Sequence, residues 1–496
     1  MKKPTDTSYR CPLTTSLLLL VVGIVVGGEL HPSLPLILLL LVPLAVAVWL
    51  FQRVAGWLLV PFIILCGMVA EYGSRSASFA EGDEEMILKV ERVTSQRNNL
   101  LYGEARVYAR MTDAEWQGCN QMVRFRCDTT LRVVEGELLQ GLFVVRSYDS
   151  HSANDYERKM AQQGFSGEVF CSDSSLVAQR KVSLTLPERM RHHAINHLAE
   201  LPLGEDATGI AEAMTVSKTT SLTPQLREAY SRSGMAHLLA VSGLHVGFIL
   251  FFAMLVLRWM VLLRRGHIWM VVANIGVVWL YALMVGLEPS ILRATLMLSI
   301  YLLLSIFSHN LRPLERLSLT GMVMLCMDAT TLYDIGFQLS FVAVWAITEW
   351  GVGWARLWTV KEQDLANRYA FVVWLAECAR WLWSAACLAL AAGIAVVPLC
   401  SYHFGIVSLW SVITSPLMIP ISGFVIGVCF LWILCPIDAL SGVVGWCVDG
   451  GIGVMNALAE WSTSHAWLCA EWRMNGWLCS LLYALMAALT IRLRRR

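Results

Sequence analysis

Seven side chains able to hydrogen-bond or carry charge interrupt otherwise apolar stretches of this sequence: His237, Ser242, His245, Arg293, Asp334, Gln338 and His403. Such groups are costly in hydrocarbon, so they are expected to face a polar interior or another helix. The chemistry they offer is recognition of an anion. Arginine stays charged and its planar guanidinium matches phosphate oxygens, which makes Arg293 the clearest phosphate partner. A structural ion pair with Asp334 or Glu288 is the competing role, and Asp334 could equally cap the helix that follows it. Ser242 and His245 stand at i, i+3 and would share a helix face. No acid is placed to orient the histidine and no oxyanion hole is visible, so an intramembrane enzyme is the weaker reading. For His237, Ser242 and His245 together, satisfied hydrogen bonds at a membrane interface are the plain alternative.

Three other patterns carry less. Ser217, Lys218 and Thr219 resemble the end of a phosphate-binding loop, but Glu212 and Ser217 stand where its glycines belong, so the backbone cannot wrap a phosphate. His192, His193 and His197 include an i, i+4 pair able to share a metal; the glutamate of H-E-x-x-H is missing, and a solvated helix is the expected role. The pairs Gly23/Gly27, Gly243/Gly247 and Gly423/Gly427 read as helix-packing positions. No cofactor or metal motif is expected.

The elements that must position these residues follow from composition. The 496 residues are 56% hydrophobic and 15% charged, well below the roughly 25% charge of soluble domains. That excludes a soluble enzyme and a disordered or collagen-like chain and leaves a polytopic membrane protein. Apolar stretches near 13–30, 34–51, 55–72, 235–263, 267–287, 290–307, 316–332, 335–352, 369–398, 405–434, 440–462 and 476–492 suggest about 11–12 transmembrane helices. The first follows Lys2, Lys3 and Arg10 but no small-residue cleavage site, and reads as a retained anchor. With the N-terminus inside, the basic positions Arg53, Arg264, Arg265, Arg312, Arg316, Arg356, Lys361, Arg368 and Arg494 to Arg496 all fall on the cytoplasmic side. Both termini are then cytoplasmic and 73–234 extracytoplasmic.

Between 73 and 234 the sequence changes character, with 19 Lys/Arg and 22 Asp/Glu. Stretches at 86–93, 100–110, 121–127, 130–135 and 141–148 alternate in part and are bounded by Gly, Asn and Asp, so five short strands are expected, suiting a small OB-like β-barrel. Amphipathic helices follow at 187–200 and 205–214. The expected domains are three N-terminal transmembrane helices at 1–72, an extracytoplasmic OB-like β domain at 73–185, an amphipathic helical linker at 186–233 and a transmembrane domain at 234–493. Arg124, Arg126 and Arg132 flank Phe125, a pattern suited to single-stranded nucleic acid, which binds through basic grooves with aromatic stacking. The excess of acids over bases requires any such surface to be local. Cys119, Cys127 and Cys171 would allow one disulfide in an oxidising compartment.

Residues 234–247 read GMAHLLAVSGLHVG, and this segment resembles the signature of the ComEC family of bacterial competence proteins. The resemblance continues in order: GLEPS at 286–290 with LRA at 292–294, DIGFQLSF at 334–341, then Pro398, HFG at 403–405, Pro416 and Pro420, and more weakly NDY at 154–156 through Gln163 and Gly164. It covers about 80–430. Ser415 stands where many relatives have Asn. Long members end in a metallo-β-lactamase-like domain, and no H-x-H-x-D-H motif occurs here, so that nuclease is expected to be absent. The resemblance implies an inner-membrane channel for single-stranded DNA in natural transformation. It also implies a periplasmic DNA-receptor protein and, since no nucleotide motif occurs, a cytoplasmic ATPase or translocase as motor. Monomer and homodimer both remain open. A secondary solute transporter is the alternative, against which stand the absence of two related halves and the large outer domain.

Overall fold

The computed structural model describes residues 12–50, 55–74, 82–97, 100–112, 115–128, 133, 136–148, 155–172, 176–180, 185–219, 221–239, 241–287, 289–306, 311–358, 370–408, 410–464 and 469–494. Lys2, Lys3, Arg10, Arg53, Arg132, Asn154, Glu288, Lys361, Arg368, Arg495 and Arg496, all invoked above, lie outside them. The chain divides into two compact units, Met1–Leu186 with Ser318–Asp334, and Pro187–Leu317 with Ile335–Arg496.

In the first unit, the helices Pro12–Leu30 and Ala55–Ser74 cross where Gly23 meets Gly67. A Cβ on Gly67 would lie 2.9 Å from the Gly23 Cα, so only glycine permits this backbone approach. Between Leu34–Leu50 and Pro313–Met327 in chain order comes a sheet of six strands: β1 Gly82–Arg97, β2 Leu100–Thr112, β3 Glu115–Asp128, β4 Leu138–Ser147, β5 Phe165–Cys171 and β6 Leu176–Arg180. β1 pairs antiparallel with β2 and β4, β2 with β3, and β4 with β5 and β6, whereas β3 and β5 run parallel. Alternate side chains, among them Met86, Leu88, Val107, Val123, Phe125, Phe143 and Val169, form one buried core, as a period of two dictates.

The strand expected at 130–135 lies outside the described residues except for Val133, which packs into the core. The strands at 165–171 and 176–180 were not foreseen, because Gly167 and the polar Gln179 and Arg180 break the apolar alternation. Gly167 is required there: a Cβ would meet the Arg146 carbonyl oxygen on β4 at 2.5 Å. Cys127 and Cys171 are register partners on β3 and β5, both free thiols. Burial pushes the Cys127 thiol up to about 11 and raises Cys171 as well.

The second unit is helical. Its core joins residues of Leu186–Ala199, Glu205–Val216, Gly243–Val256, Gly266–Val285, Pro289–Ile306, Trp410–Leu434 and Ser441–Ser464. Glu205–Val216, expected to be amphipathic, is buried from Ala207 to Val216 apart from Thr208. Across the chain, eight helices among the described residues are long and apolar enough to cross a membrane, and three shorter apolar ones are Leu34–Leu50, Ser290–Leu304 and Gly476–Arg492. Of the 11–12 expected, eight are met at spanning length among the described residues and three by the shorter helices. The stretch at 316–332 breaks after Met327 into a 3-10 turn, Ala329–Tyr333, capped by the Asp328 carboxylate accepting from the Thr330 amide at 2.9 Å.

Candidate functional site

Ser242 and His245 open the helix Gly243–Val256 as a reciprocal cap. The Ser242 amide donates to His245 Nδ1 at 3.1 Å, and Ser242 Oγ lies 2.9 Å from the same nitrogen. Histidine thus fills the place that Glu or Gln takes in a capping box. Because Nδ1 accepts from a backbone amide, the ring proton of the neutral imidazole belongs on Nε2. His245 is wholly buried, and its Nε2 has no hydrogen-bond partner among the described residues. The arrangement leaves a buried donor at Nε2.

The lead-in to this helix is held from the other side of the unit. Thr414 Oγ1 reaches the Ser233 carbonyl at 3.4 Å, Ser415 Oγ reaches Met235 Sδ at 3.4 Å, and Ser408 Oγ donates to the Arg232 carbonyl at 2.7 Å. Farther down, the rings of Phe248 and Phe252 seat on Gly423 and Gly427, four residues apart on Trp410–Leu434. The glycine pair is therefore a socket for two rings. His237, in the short 3-10 turn Ala236–Leu238, is exposed.

Arg293 lies one turn into Pro289–Ile306 and is only 1% exposed. That helix packs against the signature helix, where a Cβ on Gly243 would touch Ala294 Cβ at 3.1 Å. The Arg293 guanidinium stands over the Phe337 ring, 5.8 Å from its centroid, a distance at which the ring face attracts a cation. Phe337 in turn meets Phe341 in a tilted contact, with centroids 4.3 Å apart and ring planes at 31°. The neighbouring Gln338 lies 3.4 Å from His403 Nε2, through Oε1. The unit thus joins Arg293, Phe337, Gln338 and His403 across three helices, Pro289–Ile306, Ile335–Ala346 and Ala370–Phe404. Asp334 belongs to the first unit, and Glu288, the other expected ion-pair partner, lies outside the described residues. Phe337 was missed as a site residue although it sits in the 334–341 motif; its aromatic face beside a buried arginine is visible only in three dimensions.

Lys218 is accounted for by a local pair. Its Nζ donates to Glu212 Oε1 at 2.9 Å, and Ser221 Oγ donates to Glu212 Oε2 at 2.8 Å. Glu212 is buried, so the residue that replaces a loop glycine also neutralises the lysine.

In the six-stranded sheet, Arg124 and Arg126 share one face of β3 while Val123, Phe125 and Cys127 point into the core. Phe125 is 1% exposed, so it does not share a surface with the arginines; β-strand parity puts it on the opposite side. Other aromatics take that place. The Arg126 guanidinium stands 5.2 Å from the Phe170 ring centroid, and Arg124 donates to the Tyr156 hydroxyl at 2.9 Å. Tyr156 is exposed and comes from the helix Asp155–Gln162, the region of the weaker NDY motif. Arg132 lies outside the described residues.

The sequence model of the Competence protein family matches residues 214–496. ComE operon protein 3 of Bacillus subtilis (strain 168) is 33% identical over 161 residues, covering 32% of this chain and 20% of that protein. The match therefore spans a fifth of the relative's length. No solved structure matches. The capped signature helix, the buried arginine over Phe337 and the Gln338–His403 contact all fall inside the matched stretch, and the chain belongs to the competence protein family.

Proposed function

We propose that this protein is a channel of the bacterial inner membrane that carries single-stranded DNA into the cytoplasm during natural transformation, acting as a conduit and not as an enzyme. The observation that carries the reading is Arg293: a guanidinium 1% exposed, inside an apolar helical unit and within the family-matched stretch. A permanent charge at such a depth marks polar surroundings inside the unit, and phosphate is the anion that a planar guanidinium suits best. The buried His245 Nε2–H offers a second donor to the same kind of oxygen.

Each strand charge moving inward against about 100 mV, inside negative, costs about 2.3 kcal/mol. A motor is therefore required, and a cytoplasmic ATPase or translocase pulling the strand fits that need. In this reading the first unit's sheet lies outside the membrane and both termini lie inside. The pairing of β1 with both β2 and β4, together with the β3–β5 and β4–β5 pairings, supports an OB-like barrel. Its Arg124, Arg126, Phe170 and Tyr156 face would take the strand from a periplasmic DNA-receptor protein.

The test is transfer of labelled DNA into the DNase-protected cytoplasm of a deletion strain. The strain is complemented with wild type, Arg293→Ala or Arg293→Lys at matched membrane levels. Rescue by wild type and a fall of about 100-fold in Arg293→Ala, equivalent to about 3 kcal/mol, are expected. Arg293→Lys should fall in between, because it keeps the charge and loses the planar fork. Rescue by all three would demote Arg293 to structure. Unchanged uptake in the deletion strain, in a host shown to be competent, would overturn the DNA reading and favour a solute transporter.

A further inference from the structure

The first helix after the six-stranded sheet, Leu186–Ala199, carries three histidines, and its packing decides which of them act together. Ala194 and Leu198 are buried in the core of the second unit, and Trp432 Nε1 donates to the His197 carbonyl at 2.8 Å. These contacts fix the rotation of the helix. His193 and His197, one turn apart, are left beside one another, with ring centroids 4.3 Å apart and ring planes at 82°. His193 is exposed and His197 half-buried. His197 Nδ1 lies 2.8 Å from Glu200 Oε2, just past the end of the helix.

A carboxylate only accepts, so in the neutral imidazole Nδ1 carries the proton and Nε2 keeps its lone pair. An outer carboxylate that holds a histidine in this tautomer and orientation is the usual companion of a metal-ligating imidazole. We propose that His193 and His197 bind a divalent transition-metal ion, with Zn²⁺ as the test ion and Glu200 as the residue that orients His197. Imidazole suits zinc, copper and nickel and suits calcium or magnesium poorly. Among the described residues no group of three or more His, Cys, Asp or Glu is placed to hold a metal, so water completes the coordination and the ion exchanges freely. An ion bridging one turn, beside the carbonyl that Trp432 holds, favours the folded state by mass action. The proposal is independent of any DNA path.

The experiment uses the untagged full-length protein in detergent, with Zn²⁺ titrated against a chromogenic chelator. One saturable zinc per chain is expected in wild type. His193→Ala and His197→Ala should each abolish it, and Glu200→Gln should weaken it 10- to 100-fold with both ligands in place. His192→Ala, on the same helix but off the pair, should bind like wild type. Zinc should also raise the Tm of wild type and leave that of His193→Ala unchanged, although the metal-free Tm values match. Absence of saturable binding in wild type would overturn the site, as would full stoichiometry in both His193→Ala and His197→Ala. Binding intact in Glu200→Gln would remove the orienting role.

Discussion

Arginine is handled in opposite ways by the two units. On β3, Arg124 and Arg126 sit on the outward face, and the strand's alternation separates them from the core residues Val123, Phe125 and Cys127 one position away. In the helical unit, Arg293 is as buried as Ile291 two residues before it. Under the proposed function, the sheet would keep recognition and stability on separate faces, while the helical unit would build both from the same interior. The consequence is experimental: in the sheet the two should come apart by mutation, and in the helices they should not.

The sharpest way to break that comparison is inside β3. Phe125→Ala removes a ring from the core and should cost about 3–5 kcal/mol of stability, read as a large fall in Tm of the detergent-solubilised protein. Arg126→Ala, one position along, should leave Tm nearly unchanged and weaken binding of a single-stranded oligonucleotide. Each phosphate contact removed should lower the slope of log K against log salt by about 0.7. A large Tm loss in Arg126→Ala would show that the two faces are not separable.

A smaller effect is expected at the ring sockets of the helical unit. A methyl group on Gly427 would collide with the Phe252 ring, and one on Gly423 would lie 2.5 Å from Phe248 Cζ. Gly427→Ala should cost about 1–3 kcal/mol, the usual range for overpacking, and Phe252→Leu in the same chain should restore part of it. Because this socket steadies the signature helix, DNA transfer should fall together with Tm. Transfer that stayed normal in a destabilised Gly427→Ala protein would argue that path and packing are distinct after all.

The smallest effect concerns the helix start. Ser242→Ala removes one half of the reciprocal cap and should cost about 1 kcal/mol, measurable as a modest Tm shift. His245→Gln preserves an acceptor for the Ser242 amide and should hold the Tm closer to wild type than His245→Ala does. Equal losses in the two histidine variants would mean that the ring's packing, and not its cap, fixes the helix.

Much of this was legible in advance because it rests on short-range rules. Composition and apolar runs announce helices at every expected stretch, although the run at 316–332 hides a break at Asp328. Alternation locates β1 to β4, and the same parity already places Phe125 opposite Arg124 and Arg126, a signal that the grouping of all three overlooked. β5 escaped notice because its neighbours in sequence do not predict a parallel partner on β3, roughly forty residues earlier. The pairing of His245 with Ser242 was foreseen as a shared helix face. Its service as a cap depends on where the helix begins, which a spacing of three leaves open.

The sequence by itself determined the membrane class, the insertion of a polar β domain, the order of the family motifs and the residue types able to meet phosphate. Each follows from composition or from a period of two or 3.6 residues, which act within a few positions of chain. Only the tertiary structure decided which of those residues meet. It set Phe337 beneath Arg293, His403 beside Gln338, Glu212 against Lys218, and Phe170 and Tyr156 beside the β3 arginines. These contacts join residues from 6 to 65 positions apart. Most of them cross from one element to another, and the packing of elements is fixed by the fit of whole surfaces, which no local spacing encodes.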